Sequence, residues 1–228
     1  MTVLHKKMES DGGFKAALSH VIWIGGATDA GKSSVAEVIA KRYDFQVYHY
    51  DHHESDHIER LAAVSVRHRK TLNMKMDTAT MDEWWVLPTP MELVQKTLSS
   101  FQNRFLLALE DLLAMKCDSP IIAEGFGFTP ELLVPLLSSV NQAIWFVPTE
   151  EFKWASMKRR NKPYFRDIVS DPERGTQNFF RRDMLLADHV KQQAEKYGFQ
   201  LCIIDGTRSI DDMADFAGEH FALSEQIS

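Results

Sequence analysis

The sequence predicts an α/β fold, a parallel sheet covered by helices on both faces, and three observations carry that expectation. Short apolar runs alternate with stretches of helical spacing along the chain. The first strand candidate, Val21–Ile24, passes directly into Gly26-Ala-Thr-Asp-Ala-Gly31-Lys32-Ser33 and then into a helical pattern. No internal repeat or low-complexity linker interrupts the 228 residues, a length suited to one domain.

Residues 1–19 read as a flexible N-terminal extension, and residues 20–228 as the domain. Strands are expected at 21–24, 46–50, 120–123, 142–147 and 200–204. After the loop, Val35, Val38 and Ile39 recur at helical spacing, with Glu37, Lys41 and Arg42 opposite. Met91, Val94, Leu98, Phe101, Phe105, Leu109 and Leu112 form one long amphipathic stripe, opened by Pro88-Thr-Pro90 and ending near Lys116. Such a stripe packs a core and implies no cofactor. A helix over about 150–161, a turn-rich stretch at 162–176 and a helix over about 177–197 follow the fourth strand. This insertion carries Arg159, Arg160, Arg166, Arg174, Arg181 and Arg182, and its central part (about 159–183) is suited to close over phosphates as a lid.

Composition narrows the function classes. With 44% hydrophobic and 25% charged residues, the chain can form a sizeable core in water. A net charge of −6 argues against broad binding to nucleic acid. Cys117 and Cys202 are too few for a disulfide framework, so a reducing cytoplasm is the simplest location. The first twenty residues lack the apolar centre of a signal peptide, and no apolar run reaches the length of a membrane span.

Gly26, Gly31, Lys32 and Ser33 fill the fixed positions of G-x-x-x-x-G-K-S between a strand and a helix, the context this phosphate-binding loop requires. Backbone N–H groups across Gly26, Ala27, Thr28, Asp29, Ala30, Gly31, Lys32, Ser33 and Ser34 are placed to meet phosphate oxygens. Lys32 is expected to reach the β- and γ-phosphates, and the Ser33 hydroxyl to sit on Mg²⁺. The expected donor is ATP.

Two further strand ends carry acids. Asp51 closes the second strand, where ligands gather in an open parallel sheet, and can orient or deprotonate an acceptor hydroxyl. The alternative is a helix cap. Glu124 closes the third strand and is the expected metal-side carboxylate, in preference to Asp205, which comes after the lid. Asp205-Gly206-Thr207-Arg208 is then expected beside the nucleobase, with Thr207 and Arg208 in contact. Among the lid cations, Arg160, Arg166 and Arg182 are the candidates for stabilising the transferring phosphoryl group; solvated ion pairs are the alternative. The acceptor region is expected at about 51–90. His53 and His57, four apart, invite a zinc site, but no third ligand stands at a convincing spacing, so a polar turn with His52 or His53 touching substrate is preferred. Trp84 and Trp85 either line the acceptor pocket or pin the loop to the core, and Arg67, Arg69 and Lys70 either meet an anionic acceptor or form a solvated face.

Together, Gly26–Ser33, Asp51, Glu124-Gly125, the Arg-rich lid and Asp205-Gly206-Thr207 resemble the nucleotide kinase-like branch of P-loop proteins, over roughly residues 20–222. That branch includes nucleoside monophosphate kinases, shikimate and gluconate kinases, chloramphenicol phosphotransferase and tunicamycin-resistance proteins. Ile121–Pro130 also resembles the corresponding stretch of 2-phosphoglycerate kinase-like proteins. The resemblance implies a three-layer sandwich around a five-stranded parallel sheet of order 2-3-1-4-5, ATP with Mg²⁺, and phosphoryl transfer to a small-molecule acceptor by a monomer or homodimer. Departures are visible: the segment from Asp51 to Trp85 lacks the arginine pattern of adenylate kinases, and Asp29 puts an acid inside the phosphate loop. Asn161-Lys162-Pro163-Tyr164 begins like a guanine-reading element but has Tyr164 in place of its Asp, which disfavours a GTPase. A nucleotide-binding regulatory protein without an acceptor is the remaining alternative, favoured by Asp29.

Overall fold

The computed structural model describes residues 11–65, 76–115 and 119–224. Arg67, Arg69, Lys70 and Cys117 lie outside the described residues. Five strands form one sheet: β1 (Val21–Gly26), β2 (Gln46–His49), β3 (Ile121–Glu124), β4 (Ala143–Pro148) and β5 (Gln200–Ile204). All pairings are parallel and the order is β2-β3-β1-β4-β5, the order the sequence resemblance implied. β1 is longer than its apolar run predicts, because Gly25 and Gly26 still pair with Trp145 and Phe146 of β4.

Strand alternation divides the core between the faces. Val21, Trp23, Ile121, Ala123, Trp145 and Val147 pack on one face against the long helices α5 (Pro90–Ala114) and α8 (Pro172–Lys196). Ile24, Ile122, Ile144 and Phe146 face α2 (Lys32–Tyr43) and α9 (Ile210–His220). Buried on both sides, β3 and β4 can be apolar throughout, apart from the acid that ends β3.

The remaining helices are α1 (Asp11–Ala17), α3 (Glu54–Val64), α4 (Thr78–Trp85), α6 (Pro130–Leu133) and α7 (Glu150–Arg159). α1 corrects the expected loose extension over residues 11–19: Phe14 and Leu18 are buried in the α5/α8 core. α5 starts where its Pro-Thr-Pro predicts, with Thr89 and Glu92 forming a reciprocal capping box and Pro90 in the first turn. α8 begins five residues before the predicted 177, because the Asp171 carboxylate accepts from the Arg174 N–H and Pro172 opens the helix. The Asp-Pro pair that reads as a turn is therefore a helix start.

A small third core joins the segment expected as a lid to the end of the segment expected as the acceptor region. Met81 and Val86 pack with Met157, Phe165, Val169, Phe179 and Phe180. Trp85 stacks on Phe165 at 4.6 Å, and the Asn178 side-chain amide donates to the carbonyls of Trp85 and Pro88. The segment expected to close as a lid is thus already docked on α4. No described helix is long and apolar enough to cross a membrane.

Candidate functional site

The loop after β1 has the backbone its spacing demands. Gly26 has φ 121°, and a Cβ there would stand 2.1 Å from the Phe146 carbonyl oxygen, so no side chain fits. Gly31, left-handed at φ 81°, turns the chain into α2 as its N-cap with no side-chain cap. The first turn of α2 therefore leaves its N–H groups for an outside acceptor.

Lys32 opens α2 and is buried, its Nζ donating to the Ala27 carbonyl at 2.8 Å. Burial pushes its ammonium pKa down, and Asp51, Glu124 and Asp29 pull partly against that. Ser33, one residue on, donates to Glu124 Oε1 at 3.0 Å. The strand register sets Glu124 beside the loop: Glu124 ends β3 level with His49 at the end of β2 and with Ile24, two residues before β1 gives way to the loop. Glu124 is 2% exposed, and its Oε2 is buried without a hydrogen-bond partner among the described residues. His49 Nδ1 lies 2.6 Å from Glu124 Oε1, and its Nε2 lies 3.0 Å from Glu37. An imidazole held between two carboxylates fixes one Glu124 oxygen while the other stays unpaired.

Asp51 follows β2 in the 3-10 turn Tyr50–His53, exposed and without a side-chain hydrogen bond or ion pair among the described residues. Its charge acts on the Lys32 ammonium, with those of Glu124 and Asp29. His57 points the other way. It is fully buried, 2.7 Å from Asp111, while Arg60 and Tyr48 donate to the same carboxylate and Arg104 donates to His57 Nδ1 at 3.4 Å. Burial lowers its pKa despite Asp111. Asp111 is an acidic ligand for His57 that the sequence spacing could not supply, and Asp56 lies close by. The arginine on Asp111 makes this an ion-paired staple between α3 and α5 rather than a metal centre.

Asp29 turns its side chain to three cations. Its side chain is fully buried at φ 63°, with Oδ2 accepting from Lys153 at 2.7 Å and Oδ1 from Arg160 at 3.0 Å and Lys162 at 2.9 Å. Burial by itself would raise the carboxyl, but Lys153 and Lys162 outweigh it and hold the pKa at about 2. Thr28 is turned the same way, donating to Asp183 at 2.7 Å and accepting from Lys153 at 2.5 Å. Lys153 also lies 2.6 Å from Asp183. Two loop side chains are thereby tied to α7 and α8.

The arginine candidates separate. Arg160 reaches the loop through Asp29. Arg166 braces its own turn, donating to the Lys162 carbonyl at 2.6 Å. Arg182 lies over the rings of Trp85 and Phe179 and 2.6 Å from Asp183, so its charge serves the lid's packing. Ser34 is exposed. Thr207 folds onto Asp205, and Arg208 covers the Phe216 ring at 4.8 Å. The following helix brings Ile210 and Met213 against Gly31, so this turn flanks the loop. Of the tryptophan pair, Trp85 pins α4 to the lid, whereas Trp84 is 39% exposed. A separate groove of about 470 Å³, bordered by Pro148, Thr149, Arg181 and Asp188, contains none of the loop residues.

Lys153, Asp183, His49 and Lys162 were missed by sequence reasoning. Asp183 had a legible signal: it lies on the buried stripe Phe179, Leu186, Ala187, Val190 of α8, where an acid needs a buried cation. Lys153 likewise shares a buried face with Met157.

The sheet order and the loop geometry define a P-loop protein of kinase-like architecture. No family model matches the chain, and no curated protein is similar to it. Among solved structures, a shikimate kinase from Acinetobacter baumannii in complex with shikimate is 17% identical, with 92% of this chain and 96% of that chain covered and a TM-score of 0.43. An uncharacterized protein from Eubacterium ventriosum is 13% identical, with 90% and 99% covered and a TM-score of 0.38.

Proposed function

We propose that the protein transfers the γ-phosphate of ATP to a hydroxyl or phosphate of a small-molecule acceptor. The observation that supports this best is the 3.0 Å meeting of Ser33 and Glu124 beside a buried Lys32 acted on by Asp51. In this reading the backbone of Gly26–Ser34 cradles the phosphates, and Lys32 exchanges the Ala27 carbonyl for β- and γ-phosphate oxygens. Ser33 and Glu124 would hold Mg²⁺, and they fit it: a hydroxyl and a carboxylate suit a hard cation, and the unpaired buried Glu124 Oε2 is a ready ligand. The ion, when bound, neutralises charge on the phosphate oxygens. Asp51 orients or deprotonates the acceptor hydroxyl, and Thr207 and Arg208 flank the base.

The test is acceptor-dependent ADP release across a metabolite panel. Lys32→Ala should abolish release, and Asp51→Ala should lower turnover by about a hundredfold or more while ATP affinity holds. Undiminished transfer by Asp51→Ala would remove its role, and failure of both the wild type and Asp29→Asn to bind ATP would remove the whole reading. ATP and GTP in competition settle the donor. A regulatory nucleotide-binding protein is the second reading, favoured by the pairing of Asp29 with lid cations. Tight ATP binding with no turnover on any acceptor would select it.

A further inference from the structure

We propose that Asp29 is a built-in competitor for nucleotide phosphate, holding Arg160 and Lys162 until a phosphate takes them. The inference rests on the reading of Gly26–Ser34 as the donor site and adds a regulation of that site. Its basis is the division of labour between the two carboxylate oxygens. Oδ2 pairs with Lys153, which is 1% exposed and also held by Asp183 and Thr28. Oδ1 pairs with Arg160 and Lys162, whose side chains are 52% and 34% exposed.

These two sets of contacts differ in how easily they part. A buried ammonium cannot leave its carboxylates without stranding charge away from water, so Lys153 stays. Arg160 and Lys162 are themselves in contact with water, so parting from Asp29 strands neither cation away from solvent, and both can be exchanged. Both already converge within 3.0 Å of a carboxylate in the loop itself. A nucleotide phosphate carries more charge and more acceptor oxygens than Oδ1, and planar guanidinium donors match it well. On exchange, Lys153 retains the Asp29 carboxylate and keeps it turned from the phosphates. Without nucleotide, the cations stay on Asp29 and the lid stays docked on the loop. The phosphate must therefore displace an internal anion before the lid cations engage.

Asp29→Asn tests this. Asn adopts the left-handed backbone conformation readily, so the change removes charge while sparing the loop's shape. The measurement is ATP and inorganic tripolyphosphate affinity by calorimetry with Mg²⁺ present, together with the melting temperature without ligand. Asp29→Asn should bind both about tenfold more tightly while melting at a lower temperature. A purely structural Asp29 predicts that affinity and melting temperature fall together, which would overturn the proposal. Unchanged affinity would overturn it as well. In the Asp29→Asn background, Arg160→Ala with Lys162→Ala should cancel the gain. A gain that survives means simple repulsion by Asp29, and refutes the exchange. If only Asp29→Asn binds, the competitor role is upheld in its strongest form. If neither protein binds, the donor reading fails, and this proposal fails with it.

Discussion

Replacing Lys153 by Met is predicted to destabilise the fold by about 3–5 kcal/mol, the effect of removing one partner from a buried ion pair. Lys153 lies 2.7 Å from Asp29 and 2.6 Å from Asp183, and none of the three side chains is more than 1% exposed. Met keeps the length and the apolar stem of the side chain, so the change isolates the charge. It leaves two carboxylates facing each other across space that water does not reach. Asp183 keeps Thr28 and Arg182, and Asp29 keeps Arg160 and Lys162, which favours the lower part of that range. For a chain of 228 residues the corresponding fall in Tm is about 6–20 °C. Urea denaturation followed by circular dichroism should show a lower midpoint at unchanged slope. Adding Asp183→Leu to Lys153→Met should recover part of the loss, because one stranded carboxylate is then gone. A Lys153→Met protein within about 0.5 kcal/mol of wild type, a size typical of surface changes, would refute the buried cluster.

Three more outcomes are expected. Gly26→Ala should cost at least about 2 kcal/mol and eliminate ATP binding, since the methyl would meet the Phe146 carbonyl at 2.1 Å; a stable variant with wild-type affinity contradicts this. Asp29, held at about 2 against an ordinary 3.8, contributes about 2 kcal/mol that is fully present above about pH 4 and lost as pH falls towards 2. The stability gap between wild type and Asp29→Asn should therefore narrow from pH 5 to pH 2.5, and a constant gap would disprove the linkage. His49→Asn, which keeps a donor near the Nδ1 position, should retain the Mg²⁺ dependence of ATP affinity, whereas His49→Gln should weaken it several-fold. Equal metal dependence in both variants would show that His49 does not position Glu124.

Much of the fold was legible because its signals are local. The strand, the Gly26–Ser33 spacing and the helix that follows are contiguous, so backbone sterics and apolar patterning specify them without knowledge of the rest. The place of Glu124 was legible for a related reason: an acid closing a wholly apolar strand sits at the carboxyl end of the sheet, on the side where the loop after β1 lies. α1 and the early start of α8 were misread because Phe14, Leu18 and Pro172 gain their meaning from the surfaces they meet or the helix they cap.

What the sequence determined by itself is the sheet, the phosphate loop, and the Ser33 and Glu124 that flank it. Tertiary structure alone decided what Asp29 does. Its partner Lys153 is 124 residues away, and Thr28 meets Asp183 across 155. Such pairings depend on how α7 and α8 dock against the loop, and neither propensity nor periodicity carries that information. Burial then fixes the chemistry. An acid that reads in the sequence as a repulsive fault becomes, among three cations, the anion that ties α7 and the turn after it to the loop.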